Sequence, residues 1–199
     1  SGKITLTEKI RDTGKWVYPK DENSYSFCWK HSGHGLLNVT GAITNSCNYF
    51  FSELGYRMQM DGLGEKTGIE IPETAGLLPE NPQGQDQAPW AAYGQGSQLY
   101  SPLQLANYIA TLVSGGKHCQ AHLLKAAKAY DNSEVVAVGN TEPLNEIDIS
   151  DENLRAVKEG MKGLVEGTLS PYFSRCVVSA GAKTGTSQVR ADTKNHGVF

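Results

Sequence analysis

Glycine and proline cut this chain into short blocks, and that punctuation restricts it to modest helices and strands joined by loops. The clearest block runs from Pro102 to about Val113 and reads as a helix. Ser101 suits its N-cap, Pro102 its first turn, and Gln104 completes a capping-box pattern. Leu105, Ile109, Leu112 and Val113 share the predicted inward face, and Gly115-Gly116 is the stop. A second helix is predicted over about Asp151 to Glu166, with Leu154, Val157, Met161, Leu164 and Val165 on one face and Gly167 ending it. A shorter pair is predicted at Asn38 to Thr44 and Tyr49 to Met58, broken at Asn45-Ser46-Cys47-Asn48. Phe50, Phe51 and Leu54 stripe the second of that pair. Glu134 to Val138 and Arg175 to Ala180 read as β-rich runs. Residues 12–35 lack periodicity and suggest loop or short strands. Residues 61–100, rich in Gly, Pro and Gln, suggest an extended excursion.

With 199 residues and 39% hydrophobic content, the chain suits one packed domain, or one domain plus a smaller lobe. A net charge of −3 and the lack of a basic stripe argue against nucleic acid as a partner. No apolar run approaches the roughly 20 residues of a membrane span, and Ser1-Gly2-Lys3 does not open a signal peptide. Cys28, Cys47, Cys119 and Cys176 are too dispersed for a disulfide framework. Cys28-x2-His31-x2-His34 clusters metal-competent donors, but it lies in a Gly-rich loop with no second pair at zinc-type spacing, so the loop reading prevails.

Lys-Thr-Gly occurs twice. Lys183-Thr184-Gly185-Thr186 follows a β-rich run and is expected on a strand, with Lys183 and Gly185 on one face and Thr184 and Thr186 on the other. Gly185 leaves room for a ligand backbone, and a cation beside hydroxyls and exposed N–H groups suits a carboxylate or an oxyanion. An edge strand with a solvated lysine is the plainer alternative. The other copy lies in Asp61-Gly62-Leu63-Gly64-Glu65-Lys66-Thr67-Gly68. A phosphate loop would need glycine, not Glu65, before the lysine, so a Gly-rich turn is the better reading. Ser46-Cys47-Asn48, at a helix break, combines a hydroxyl able to relay protons with an amide able to orient a peptide bond. Ser and Asn also simply favour caps there.

Together, Ser46-x-Asn48 and Lys183-Thr184-Gly185 match two of the three signatures of serine β-lactamases and penicillin-binding proteins. Four longer passages carry the resemblance further: HGLLNVTGAITNSCNYFFSELG, GLGEKTGIEIPETAGLLP, YGQGSQLYSPLQLANYIATLVSGGK and GAKTGTSQV. Over almost its whole length the chain resembles the transpeptidase domain of class B penicillin-binding proteins. The resemblance implies an α/β (α+β) penicillin-recognising fold: an antiparallel sheet packed between helices plus a mostly helical lobe. It places that lobe at about 36–170 and core strands with the second KTG at about 171–199.

The implied activity is peptidoglycan D,D-transpeptidation through a serine acyl-enzyme, with D-Ala-D-Ala stem peptides as substrates and β-lactams as inhibitors. In this resemblance Ser46 relays protons, Asn48 holds the substrate amide, and Lys183 supports the electrostatics. The Thr184 and Thr186 hydroxyls bind the terminal carboxylate, Gly185 lets it approach, and the Thr186 N–H forms half an oxyanion hole. No metal or organic cofactor is implied. The setting would be the outer face of a bacterial cytoplasmic membrane, among cell-wall synthesis partners. The KTG of GLGEKTGIEIP belongs to a family segment outside the active site.

The acylated serine of S-x-x-K is not found. The one such motif, Ser114-Gly115-Gly116-Lys117, has two glycines where a rigid helical turn is needed. The resemblance puts the missing segment just upstream of Ser1 and a final strand and helix after Phe199, so the chain is expected to be inactive alone. It also implies a longer helical stretch than YRMQM between Gly55 and Asp61. A β-lactamase, a β-lactam sensor and a non-catalytic binding module are the alternatives.

Overall fold

A computed structural model describes residues 4–19, 21–58, 66–77, 89, 92–96, 98–187 and 196–198. Its strands are β1 (Ile10–Asp12), β2 (Lys15–Tyr18), β3 (Asp21–Phe27), β4 (Gly35–Leu37), β5 (Lys117–Cys119), β6 (Ala126–Lys128), β7 (Val135–Val138), β8 (Pro143–Glu146), β9 (Gly185–Ser187) and β10 (His196–Val198). The helices are α1 (Val39–Thr44), α2 (Asn48–Met58), α3 (Pro102–Val113), α4 (Asp151–Glu166) and α5 (Ser170–Phe173). No described helix is long and apolar enough to cross a membrane. The chain divides into two compact units, one of Ser1–Gly62, Pro79–Gln98 and Arg155–Phe199, the other of Leu63–Leu78 and Leu99–Leu154.

In the first unit β1 pairs antiparallel with β4, and β2 with β3. Strand alternation turns Ile10 and Asp12 inward and Arg11 outward. Ile10, Cys28, Ala42, Cys47 and Phe50 form the core, flanked by Leu37, Val39, Phe51 and Leu54. Phe50 keeps 1% exposure, so its burial contributes about 2–3 kcal/mol. Two polar links fix α2 on the β2–β3 hairpin: Trp16 Nε1 donates to Glu53 Oε2 at 2.9 Å, and the buried Ser26 and Ser52 hydroxyls lie 2.8 Å apart.

Helix α1 starts where Asn38 Oδ1 accepts the Gly41 N–H at 3.0 Å, a side-chain cap. It crosses α4 closely because α4 offers glycines there. A Cβ on Gly160 would come within 2.7 Å of Ile43 Cβ, and one on Gly163 within 2.7 Å of Thr44 Oγ1. Thr40 and Thr44 use this proximity, donating to the Ala156 and Gly160 carbonyls at 3.3 and 3.2 Å. The predicted stripe of α4 is seen: Met161, Leu164 and Val165 are buried, and Leu154 and Val157 half-buried. β9 and β10 pair antiparallel. The run Arg175 to Ala180 is not a strand; Val177 and Val178 are exposed, and among the described residues it has no pairing partner to complete a ladder.

In the second unit β5 pairs with β8 and β6 with β7, both antiparallel. Helix α3 has its predicted bounds and both reciprocal bonds of the capping box: Gln104 N–H to Ser101 Oγ at 3.2 Å, Ser101 N–H to Gln104 Oε1 at 2.8 Å. Its predicted inward face is met only in part: Leu105 and Leu112 are half-buried. Ile109 and Val113 are exposed, whereas Gln104 and Thr111 are buried and Asn107 Nδ2 lies 3.2 Å from His118 Nε2 on β5. Residues 61–65 lie outside the described residues, as do two of the five residues of YRMQM (59–60).

Candidate active site

The site is assembled from a tight break between two helices. Past Thr44, the N–H groups of Asn45, Ser46 and Cys47 return to the carbonyls of Gly41, Ile43 and Ala42 at 3.0, 3.1 and 3.0 Å. Closing this turn puts Ser46 at φ +48°, a left-handed conformation that costs a residue with a side chain about 1–2 kcal/mol. Strain of this kind persists only where neighbours over-determine it. Here Trp29 Nε1 holds the Asn45 carbonyl at 3.0 Å, and Cys47 is buried beneath. The turn thus faces Cys47 into the core while Ser46 stays half-buried. Asn48 opens α2, its Nδ2 donating to the Phe27 carbonyl at 3.3 Å.

Lys183 reaches this turn from across the unit. Its Nζ donates to Ser46 Oγ at 2.8 Å and to the Thr184 carbonyl at 2.7 Å. Burial lowers its pKa, because a low-dielectric setting disfavours the ammonium form. A lysine so placed can give up or take a proton through the Ser46 hydroxyl. The strand expected to carry all of Lys183 to Thr186 begins only at Gly185, with Gly185 opposite Val198 and Thr186 opposite Gly197. Lys183 and Thr184 precede it, and just before them Ala182 N–H is bonded to Met161 O at 3.1 Å, docking the chain on α4. Among the described residues the Thr184 and Thr186 hydroxyls have no protein partner. The structure therefore unites Ser46 with Lys183, while Asn48 stands two residues along the turn and Thr184 to Thr186 follow the lysine.

The S-x-x-K sequence Ser114 to Lys117 is no such site. Ser114 caps α3, its hydroxyl donates to the Thr111 and Lys117 carbonyls at 3.0 Å each, and Gly115 and Gly116 have φ of +85° and +99°. The other KTG is a closed turn. Glu73 accepts from Thr67 N–H, Thr67 Oγ1 and Gly68 N–H at 3.0, 2.8 and 2.6 Å.

The sequence reading missed one group. Asp12, Cys28, His34 and Cys47 bring their donor atoms within 4.8 Å of one another, all but the half-buried His34 being fully buried residues. Asp12 Oδ2 lies 2.7 Å from His34 Nδ1 and 3.2 Å from Cys47 Sγ, and the two sulfurs lie 4.0 Å apart. The neighbouring Cys47 sulfur lowers the Cys28 pKa, and Cys28 together with burial raises that of Cys47. Burial raises the Asp12 carboxyl, but bonds from Gly14, His34 and Cys47 outweigh it and hold the group below its usual range.

Two sulfurs, one imidazole nitrogen and one carboxylate oxygen suit a borderline cation such as zinc, and tetrahedral zinc would set its sulfurs about 3.8 Å apart. Cys28 and His34 thus group with Asp12 and Cys47 rather than with His31. Only the Cys–His pair is close in sequence, since Asp12 and Cys47 lie well outside that segment. A metal here would brace Cys47, hence the turn that presents Ser46 and Asn48.

A model of the penicillin-binding protein transpeptidase domain matches residues 1–198. The chain belongs to this family. The peptidoglycan D,D-transpeptidase MrdA of Escherichia coli (strain K12) is 32% identical over 211 residues, covering 95% of this chain and 33% of that protein. Stage V sporulation protein D of Bacillus subtilis (strain 168) is 31% identical over 180 residues, covering 84% and 27%. The chain spans about a third of the length of the curated relatives it matches. Among solved structures, Pseudomonas aeruginosa PBP2 in complex with WCK 5153 shares the fold at a TM-score of 0.84 and 24% identity, over 98% of this chain and 46% of that one. The Helicobacter pylori PBP2 complex with MreC gives a TM-score of 0.71 at 25% identity, over 98% and 38%. The α+β class B penicillin-binding fold expected from the sequence is the one found.

Proposed function

We propose that this chain is the substrate-holding part of a peptidoglycan D,D-transpeptidase, a penicillin target whose acylated serine is supplied by an S-x-x-K segment upstream. The observation that carries the reading is the Lys183 Nζ to Ser46 Oγ bond of 2.8 Å, which joins the two family motifs across the unit. A serine hydroxyl attacks a peptide carbonyl only if a neighbouring group takes its proton, and the leaving group must then receive one. The lowered Lys183 pKa and the bridging Ser46 hydroxyl supply such a relay. Asn48 holds the donor amide. The hydroxyls of Thr184 and Thr186, without a protein partner among the described residues, bind the D-Ala carboxylate, Gly185 leaves its backbone room, and the Thr186 N–H takes the developing oxyanion. An amine of a second stem peptide resolves the acyl-enzyme. The whole protein works on the outer face of a bacterial cytoplasmic membrane, held by an N-terminal span, with cell-wall synthesis proteins as partners.

Labelling with a fluorescent penicillin tests this. The full-length protein gives a lasting covalent band, and residues 1–199 alone give none. Rapid turnover of the penicillin by the full-length protein would make it a β-lactamase, and labelling of the isolated 199 residues would remove the need for an upstream serine.

A further inference from the structure

One family passage finds no use in the site as described: Tyr93-Gly94-Gln95-Gly96, within the Gly-rich excursion. It touches the site at its far end. Gln95 Nε2 donates to the Thr186 carbonyl at 2.8 Å, 91 residues away in sequence. Gly94 and Gly96 flank it at φ +86° and +99°, conformations that only glycine adopts readily, so the backbone doubles back and projects the single side chain between them. On the other side Tyr93 is anchored. Burial raises its phenol pKa, and its hydroxyl is hydrogen-bonded to Ser26, the partner of Ser52 on α2. Ser26 also adjoins Phe27, whose carbonyl holds Asn48.

We infer that Gln95 is a positioning residue for the reaction: the Tyr93–Gln95 segment ties strand β9 to the β3–α2 framework that carries Asn48. The Thr186 carbonyl belongs to the peptide unit shared with Ser187, and holding it limits the rotation about Thr186 that would re-aim the adjoining unit, which bears the N–H assigned above to the oxyanion. β9 has three residues, and among the described residues β10 is its one strand neighbour, so the ladder alone defines its tilt poorly. A donor that is misaimed by a fraction of an ångström loses much of its value in the transition state while still binding the ground state. The inference rests on the role proposed for Thr186, and its test separates the two.

In the full-length protein, Gln95→Met keeps the length and removes the donor. It lowers the first-order acylation step with a fluorescent penicillin about tenfold, and changes the preceding dissociation constant less than about twofold. Gln95→Lys, which restores a donor, recovers most of the rate. Tyr93→Phe, which frees the other anchor, gives a loss of about threefold. Hydrogen exchange of the amides at 184–187 accelerates several-fold in Gln95→Met, with global unfolding unchanged. Wild-type acylation and wild-type exchange in Gln95→Met would overturn the inference. So would an equal loss in Gln95→Lys and Gln95→Met. If the wild-type protein is never acylated, the transpeptidase reading fails, and the exchange measurement alone decides whether the tether exists.

Discussion

Two Lys-Thr-Gly triplets with identical side chains end in opposite situations. At Lys66–Gly68 the amides of Thr67 and Gly68 and the Thr67 hydroxyl all close on the Glu73 carboxylate, and Thr67 itself is buried. At Lys183–Gly185 the lysine crosses to Ser46, and among the described residues no carboxylate bonds the threonine hydroxyls on either side of the glycine. Both copies thus present donors suited to a carboxylate. The first has its anion built in, five or six residues downstream, and serves as a turn. Among the described residues the second has no such anion, and a free donor set beside a lysine whose charge burial disfavours is what a ligand can use. Three residues therefore do not define a site; what fills the space in front of them does.

The largest effect should separate the two lysines. In the full-length protein, Lys183→Ala lowers the rate of acylation by penicillin about a thousandfold, the scale of losing an acid–base group. Lys66→Ala leaves it within about twofold, and a comparable loss there would break the comparison. Next in size comes the support beneath Ser46. Protein purified without chelator should hold about one zinc per chain by elemental analysis, and Cys47→Ser should reduce that to a small fraction and slow acylation about tenfold. Full acylation in metal-free Cys47→Ser would show that the cluster does not hold the turn.

A smaller, purely structural effect belongs to the first triplet. Burial raises the Glu73 carboxyl, but the Thr67 and Gly68 donors outweigh this and depress its pKa. A depressed carboxyl contributes stability that is present above its unfolded pKa, about 4.3, and fades as pH falls through the folded value. Glu73→Gln should lower the melting temperature by a few degrees at pH 7, flatten the acid side of the stability profile, and leave acylation intact. The smallest effect is on Lys183. A lysine pKa lowered by burial destabilises the fold while the group is charged, and that penalty is relieved as pH rises from the folded toward the unfolded value. The stability difference between Lys183→Met and wild type should therefore shift in favour of wild type between pH 7 and 10.5. A shift in the other direction would place the ammonium in a charge-stabilising site.

How much of this was legible depended on the range of the interactions. The capping box at Ser101 and Gln104, the apolar stripe of α4 and the break at Ser46 follow from neighbours within a few residues, and the structure has them where the sequence put them. The pairing of Ser46-x-Asn48 with the second KTG was readable only through the family likeness. Strand β9 came out shorter than the β-rich composition around it, and just before it Ala182 is bound to Met161 of α4, a contact that local sequence does not show. The Asp12–Cys28–His34–Cys47 cluster and the Gln95 contact were hidden for the same reason: each joins positions far apart in sequence, from segments without periodicity.

The most direct test of the difference between the two triplets is a crystal structure of the full-length protein acylated by penicillin. The antibiotic's carboxylate should lie within hydrogen-bonding distance of Thr184 and Thr186, with Glu73 still bound to Thr67 and Gly68. A carboxylate seated on Thr67 and Gly68 with Glu73 displaced, or one touching neither Thr184 nor Thr186, would contradict it.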